Sequence, residues 1–475
     1  MADDQTELPR VRPEGRFRLS AAFKAGGMAM APNVVFVFSD QHRADAAGYA
    51  GNPDVRTPNM DRLRASGVHF TTAVSNIPCC SPYRASFLTG RYPLAHGVFV
   101  NDVHLGHDAV SIADAFAAAG YDTAYVGKWH VNGRGRSSFI PREDRQGFDF
   151  WRVLECTHDY NNSHYYADDE RKRLWDGYDA LEQTRCAQEY IRGRRDRDNP
   201  FFLVVSWGPP HNPYGTAPSR FRAMYDADRL SLRPNVPAEK RDAAARDLAG
   251  YYAHISALDE CVGDLWNTIV EEGMEEDTIF VYTSDHGDML GSQGEARKQR
   301  PWDESILVPF LLRYPRQFGD APREVATPFG SPDIMPTLLG LCRIPVPGTA
   351  EGIDFAPLLR GEEPPGVEAA LIECIHPFGE FAREKGGREY RGVRTERYTY
   401  VRDLAGPWLL YDNWEDPYQL RNLCREPGAG ALRGRLDALL WDQLRAQGDE
   451  FLPGEQYIRQ WGYVTDDNGT VPYAE

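Results

Sequence analysis

Four short apolar runs in this chain end in side chains able to hold a cation, an anion or a proton. The run at 33–38 leads into Ser39-Asp40-Gln41-His42, and the run at 123–126 into Gly127-Lys128-Trp129-His130. The run at 202–205 leads into Ser206-Trp207-Gly208-Pro209-Pro210-His211, and that at 278–282 into Thr283-Ser284-Asp285-His286-Gly287. Carboxylates beside an amide oxygen suit a hard divalent cation, which seeks oxygen ligands. Lysine offers a point of positive charge for an anion, and histidine titrates close to neutrality, so it can give or take a proton. Each residue alone has a plainer reading: a strand-end turn at Asp40-Gln41, a loop cap at Asp285-His286-Gly287, a solvated lysine, a hydrogen-bonded histidine. Their recurrence after four similar runs argues for a site.

The apolar runs read as strands buried on both faces of a parallel sheet, and a fifth lies at 309–312. Helical patterns fall between them at 111–119, 180–195 and 243–272, the last closed by Gly273. Strand and helix in alternation predict an α/β fold with a large, mostly parallel sheet sandwiched by helices. Ligands in such sheets gather at the carboxyl ends of the strands, where the residues above stand. From about residue 365 shorter segments at 390–395, 398–402 and 408–411 read as antiparallel strands, with a helix near 430–447. The chain thus divides into a polar extension at 1–31, read as disordered, a catalytic α/β domain at 32–365, and a smaller α+β subdomain with its tail at 366–475.

The strongest local signal is Cys80-Ser81-Pro82-Tyr83-Arg84, continued by Ala85-Ser86-Phe87-Leu88-Thr89-Gly90-Arg91. This C-x-P-x-R followed by L-T-G-R resembles the signature of the sulfatase family, within the alkaline-phosphatase superfamily. The resemblance extends to Gly127-Lys128-Trp129-His130, to Thr57-Pro58-Asn59-Met60-Asp61-Arg62-Leu63 and to Asp333-Ile334-Met335-Pro336-Thr337, and covers roughly residues 32–425. It implies an alkaline-phosphatase-like fold and hydrolysis of a sulfate ester. It also implies that Cys80 is oxidised by a formylglycine-generating enzyme to formylglycine, whose hydrated aldehyde is the nucleophile. The chemistry favours that change: sulfate on a thiolate has no easy exit, whereas a gem-diol attacks with one oxygen and expels sulfate with the other.

The resemblance further implies a divalent metal at Asp40, Gln41, Asp285 and His286, with the residue-80 oxygen completing its shell. Calcium is the family expectation, with manganese or magnesium as alternatives, because imidazole suits transition metals. Lys128 and Lys298 are implied to bind sulfate oxygens, Arg84 the formylglycine hydroxyls, and Asn101 the sulfate. His130 is implied to take the proton that drives sulfate expulsion, and His211 to protonate the leaving oxygen. Segment 156–176, rich in His, Tyr, Asn and charge, reads as an insertion over the site. It offers His158, Tyr160 and His164 for substrate contact, with His104 and His376 as further candidates.

Composition removes other classes. The formal net charge is -17 and no basic stretch is concentrated enough for nucleic acid. No apolar run reaches membrane length, and the first 30 residues lack a secretory signal's apolar core, so the sequence reads as cytoplasmic with Met28 or Met30 as its start. Asn468-Gly469-Thr470 fits a glycosylation acceptor without that context. The eight cysteines, scattered with no C-x-x-C spacing, read as free thiols. The expected ligand is a sulfated small molecule or saccharide. A formylglycine phosphonate monoester hydrolase or phosphodiesterase is the near alternative, and a non-catalytic binder of sulfated ligands the distant one. Gln293, where relatives often carry His, is a departure that bears on the latter.

Overall fold

Alternate residues of the first strand feed two different cores. The computed structural model describes residues 31–195, 197–362 and 366–473, so the expected disordered extension lies, but for residue 31, outside the described residues. Asn33–Asp40 (β1) is buried along nearly its whole length. Val34, Phe36 and Phe38 enter one core and Val35 and Val37 the other, as the two-residue period of a pleated strand requires. Such a strand needs a layer on each side.

The remaining strands of its sheet are Val68–Phe70 (β2), Asp122–Lys128 (β3), Phe150–Leu154 (β4), Phe201–Pro210 (β5), Thr278–Ser284 (β6), Phe310–Arg313 (β7) and Arg323–Val325 (β8). Their order across the sheet is β8-β2-β7-β6-β1-β5-β3-β4. β7 pairs antiparallel with β6 and β2, and the other pairings are parallel. The helices are Cys80–Thr89 (α1), Ile112–Ala118 (α2), Asp179–Arg192 (α3), Arg241–Glu271 (α4) and Ile334–Leu341 (α5). Residues of α1, α2 and α5 pack on the Phe36 side, and residues of α3 and α4 on the Val35 side. All five strands and three helices expected for this region form, within a few residues of their expected bounds. β2, β4 and β8 are additions, each five residues or fewer.

A second sheet is antiparallel: Ala369–Cys374 (β9), Tyr390–Thr395 (β10), Tyr398–Asp403 (β11) and Gly406–Asp412 (β12), in that order. The helix Gly430–Ala446 (α6) lays Leu436, Leu440 and Leu444, a four-residue repeat, against Leu371, Val393, Tyr400 and Leu410. The opposite face of this sheet packs on Val74 and Ile306. The fold class read from the sequence is the one observed. Among the described residues no helix is long and apolar enough to cross a membrane.

Candidate active site

β6, β1, β5 and β3 are neighbours in the sheet, so their carboxyl ends bring Asp285, Asp40, His211 and Lys128 to one edge. α1 begins opposite them with Cys80. Asp40, Cys80, Asp285 and His286 are buried and present ligand atoms within 4.8 Å of one another. Cys80 Sγ lies 3.1 Å from Lys298 Nζ, 3.3 Å from His286 Nε2 and 3.5 Å from Asp40 Oδ1. Burial and the Asp40 carboxylate push the Cys80 thiol up, but Lys128, Lys298 and His286 outweigh them and hold it well below the ordinary range.

The cations are held by the carboxylates they neutralise. Lys128 Nζ is 2.5 Å from Asp40 Oδ2. Arg84 Nη2 reaches Asp40 Oδ2 at 3.2 Å and Asp285 Oδ2 at 3.1 Å, while its Nη1 donates to the Lys128 carbonyl and Ser206 Oγ, both at 2.8 Å. Burial disfavours the Asp40 anion, yet Lys128, His211, Lys298 and His286 keep its pKa well below the usual carboxylate value. The glycine before Lys128 is obligatory: Gly127 has φ +110°, and a Cβ there would lie 2.0 Å from the Ser206 carbonyl oxygen.

Two histidines each keep one ring nitrogen out of the bond that orients the ring. His130 Nε2 stands 2.9 Å from Asp102 Oδ1; a carboxylate accepts, so Nε2 carries the proton and the buried Nδ1 has no partner. Burial lowers the His130 pKa, but the Cys156 sulfur and the Asp102 hydrogen bond push it up to about 10. His211 Nδ1 donates to the Asn212 carbonyl at 2.8 Å, which turns Nε2 away from that bond. Burial and Lys298 hold its pKa well below the ordinary histidine value.

Comparison with known proteins bears directly on this arrangement. A family model described as sulfatase matches residues 32–344, the span that carries every group named above. The chain belongs to the sulfatase family. A further model, N-sulphoglucosamine sulphohydrolase C-terminal, matches residues 291–447. The chain is 42% identical over 448 residues to an ulvan-active sulfatase of Formosa agariphila, spanning 94% of this chain and 87% of that protein. A Bacteroides thetaiotaomicron structure, solved in connection with the metabolism of multiple glycosaminoglycans, superposes with a TM-score of 0.81 at 29% identity, covering 90% and 99% of the two chains. The phosphonate monoester hydrolase of Agrobacterium radiobacter gives 0.72 at 26%, covering 94% and 100%. This protein is a sulfuric ester hydrolase of the sulfatase family.

The donor set of this sulfatase fits a divalent cation. Gln41, in the left-handed region at φ 74°, donates its Nε2 to Asp288 Oδ2 at 2.7 Å. A carboxylate only accepts, so the amide nitrogen must face Asp288, and Oε1 is left buried without a partner. His286 Nδ1 donates to the Gly287 carbonyl at 2.9 Å, leaving the Nε2 lone pair 3.5 Å from both Asp40 Oδ1 and Asp285 Oδ1. Burial and the neighbouring Asp40 charge push Asp285 up to about 6. A crowded carboxylate pair, an orphaned amide oxygen and an aimed imidazole are what a metal ion would satisfy.

The cavity above Cys80 has a volume of about 310 Å³. Of the residues expected to touch substrate, His158 and Asn101 line it. His158 stacks on His211 at 4.5 Å, whereas the Asn101 side-chain oxygen Oδ1 accepts from the Ser81 N–H at 3.0 Å and the Cys79 thiol at 3.2 Å. Tyr160 and His104 do not line it. Tyr160 is wholly buried, its hydroxyl donating to the His211 carbonyl at 2.9 Å, so it holds the His211 loop from beneath. His104 is exposed and turned toward the Asn132 carbonyl. His164 is half-buried on the two-residue strand His164–Tyr165, and His376 is buried; neither lines the cavity. Gln293 ties its loop to the carbonyls of Tyr418 and Gln419.

Sequence reasoning missed Asp102, Arg136, Phe378, Glu380 and Thr470, all in the cavity wall. It also missed Tyr473, which donates to Asp102 Oδ1 at 2.5 Å. Asp102 adjoins Asn101 and was within reach of the same reading. Thr470 belongs to the triplet noted as a glycosylation pattern, which here closes a wall. The eight cysteines are free.

Proposed function

We propose that this sulfatase hydrolyses a sulfate ester on a saccharide, with the formylglycine made from Cys80 as nucleophile and one divalent cation, calcium by preference, held by Asp40, Gln41, Asp285 and His286. The observation that carries the reading is the position of Cys80 Sγ: on the cavity floor, 3.1 Å from the Lys298 ammonium and beside the cation-ready cluster. The bound cation would polarise sulfate oxygens and ease ionisation of the attacking hydroxyl. The oxidised, hydrated side chain would supply two hydroxyls, one to attack sulfur and one to expel sulfate.

The chain's own groups account for the rest. Lys128 and Lys298, both buried and cationic, neutralise charge that grows on the sulfate oxygens in the transition state. Arg84, stacked over the Phe38 ring at 4.8 Å, fixes Asp40 and Asp285 relative to α1. An incoming sulfate ester carries negative charge that opposes the pull of Lys298 on His211; His211 then takes up a proton and delivers it from Nε2 to the leaving alkoxide. His130 Nδ1, its ring oriented through Nε2 by Asp102, would take the residue-80 hydroxyl proton that drives sulfate expulsion. The sum is ester plus water giving alcohol, sulfate and a proton. A formylglycine-generating enzyme is the implied maturation partner.

A saccharide is favoured over an aryl ester by the polar, histidine-rich wall and by the ulvan-active and glycosaminoglycan-linked relatives. A binder without turnover is disfavoured, because nucleophile, cations and proton carriers all converge. Enzyme co-expressed with a formylglycine-generating enzyme should turn over p-nitrophenyl sulfate and sulfated oligosaccharides in proportion to the oxidised fraction of the Cys80 peptide, measured by mass. Cys80→Ala should lose turnover and keep its fold. Dominant turnover of a p-nitrophenyl phosphonate monoester, or full activity in Cys80→Ala, would overturn the reading.

A further inference from the structure

Outside the cavity, two surface histidines and a buried carboxylate converge. His104, His107 and Asp144 each present a ligand atom, all within 4.8 Å of one another. The histidines lie three residues apart just after Asp102, and Asp144 ends the short turn Arg142–Asp144. His104 Nδ1 is 3.1 Å from the Asn132 carbonyl; since a carbonyl only accepts, Nδ1 carries the proton and Nε2 keeps its lone pair. His107 Nε2 stands 3.3 Å from Asp144 Oδ1. Asp144 is 5% exposed, yet its Oδ2 has no hydrogen-bond donor. Arg134 Nη2 comes within 2.8 Å of that oxygen off the bonding direction, from a half-exposed side chain whose charge a bound cation would displace.

We propose that these three side chains form a second metal site, for zinc or a zinc-like divalent ion, independent of the Asp40 cluster. Two imidazoles and one carboxylate suit zinc far better than calcium. Zinc bonds of about 2.0–2.2 Å set tetrahedral ligand atoms roughly 3.3 Å apart. The His107–Asp144 pair already has that spacing, and only the exposed ring of His104 must close in. The Asn132 carbonyl orients His104 as carbonyls orient metal-bound histidines elsewhere. The fourth position stays open to water.

The placement gives the ion a consequence. Its ligands tie the segment leaving Asp102, the anchor of His130, to the segment at 132–144 that carries Arg136 into the cavity wall. Occupancy would pin two walls of the active site from outside.

The test is calorimetric titration of zinc chloride into full-length protein saturated with calcium, with zinc counted by elemental analysis after dialysis. Wild type is expected to hold one zinc that His107→Ala and Asp144→Asn lack, and to rise in Tm with zinc while His107→Ala does not. Arg134→Ala should bind zinc more tightly, because a competing cation is gone. Asp285→Asn should keep this zinc while losing the calcium site. His107 is exposed, so its zinc-free Tm reports whether the variant folds. Equal zinc content in wild type and His107→Ala, or none in either, would overturn the proposal and leave a plain histidine–carboxylate pair.

Discussion

At the residue scale the site is a balance of charge among buried side chains. Three groups that prefer to be anionic, Asp40, Asp285 and Cys80, are enclosed with Lys128, Lys298 and Arg84. Removing one member should unbalance the rest. Asp285→Asn is expected to strip the proposed metal, checked by elemental analysis after dialysis, whereas Gln41→Ala, which deletes a neutral ligand, should weaken retention less. His211→Ala should cost alkyl and sugar sulfates about 10²–10⁴-fold in kcat and p-nitrophenyl sulfate much less, because a good leaving group needs little protonation; equal losses would remove the general-acid role. Asp40, Gln41, Lys128, His211 and Asp285 were legible because each follows an apolar run at a strand end, and Cys80 and Arg84 because they share one short motif at the start of α1. Tyr160 misled because an aromatic in a polar segment looks the same whether its hydroxyl meets a ligand or, as here, backbone carbonyls under the site.

At the element scale, the sheet was readable where strands are apolar on both faces. β1, β3, β5 and β6 carry that signal over seven or more residues. β2 and β8, with three residues each, are too short to show any period. The start of α3 yields a pH prediction. Asp179 is buried there, and burial above all pushes its pKa up to about 8. The folded state therefore holds a proton that the unfolded chain releases near pH 4, so this residue's contribution to stability is full below that and declines as pH rises toward 8. Asp179→Asn removes the titration. The fall of Tm between pH 5 and 8 should be shallower in that variant, and an unchanged slope would reject the assignment.

At the scale of the whole molecule, the last residues of the described chain return to the site that β1 begins. Trp461 packs against Gly97, where a Cβ would meet its ring at 2.5 Å, and the Tyr463 hydroxyl donates to the Gly97 carbonyl at 3.1 Å. The Gly379 N–H donates to the Asn468 carbonyl at 2.9 Å. Tyr473 then reaches Asp102, which also receives Arg136 at 3.8 Å. Nothing in the local pattern of residues 463–473 announces this, because the partner lies 371 positions away. Tyr473→Phe should lower kcat by about tenfold, the worth of one hydrogen bond to a charged group, with little change in Tm. A loss of Tm equal to that seen on deleting Tyr463 would assign the tail a purely structural role.

Every residue of α1 is buried, Cys80 included. A cavity of about 310 Å³ admits a small ester to Cys80, but a macromolecular enzyme that oxidises Cys80 could not reach it through that opening. On the proposed chemistry, oxidation therefore has to precede folding. β1 pairs with strands that begin about 170 and 245 residues later, and such distant partners close slowly. On that chemistry the delay would be the interval in which a newly made chain could be converted. On that chemistry, a chain that folds first would keep a thiol at residue 80 beside an intact cation-ready cluster, and the active fraction of a preparation would record a race that ended before the enzyme had a shape.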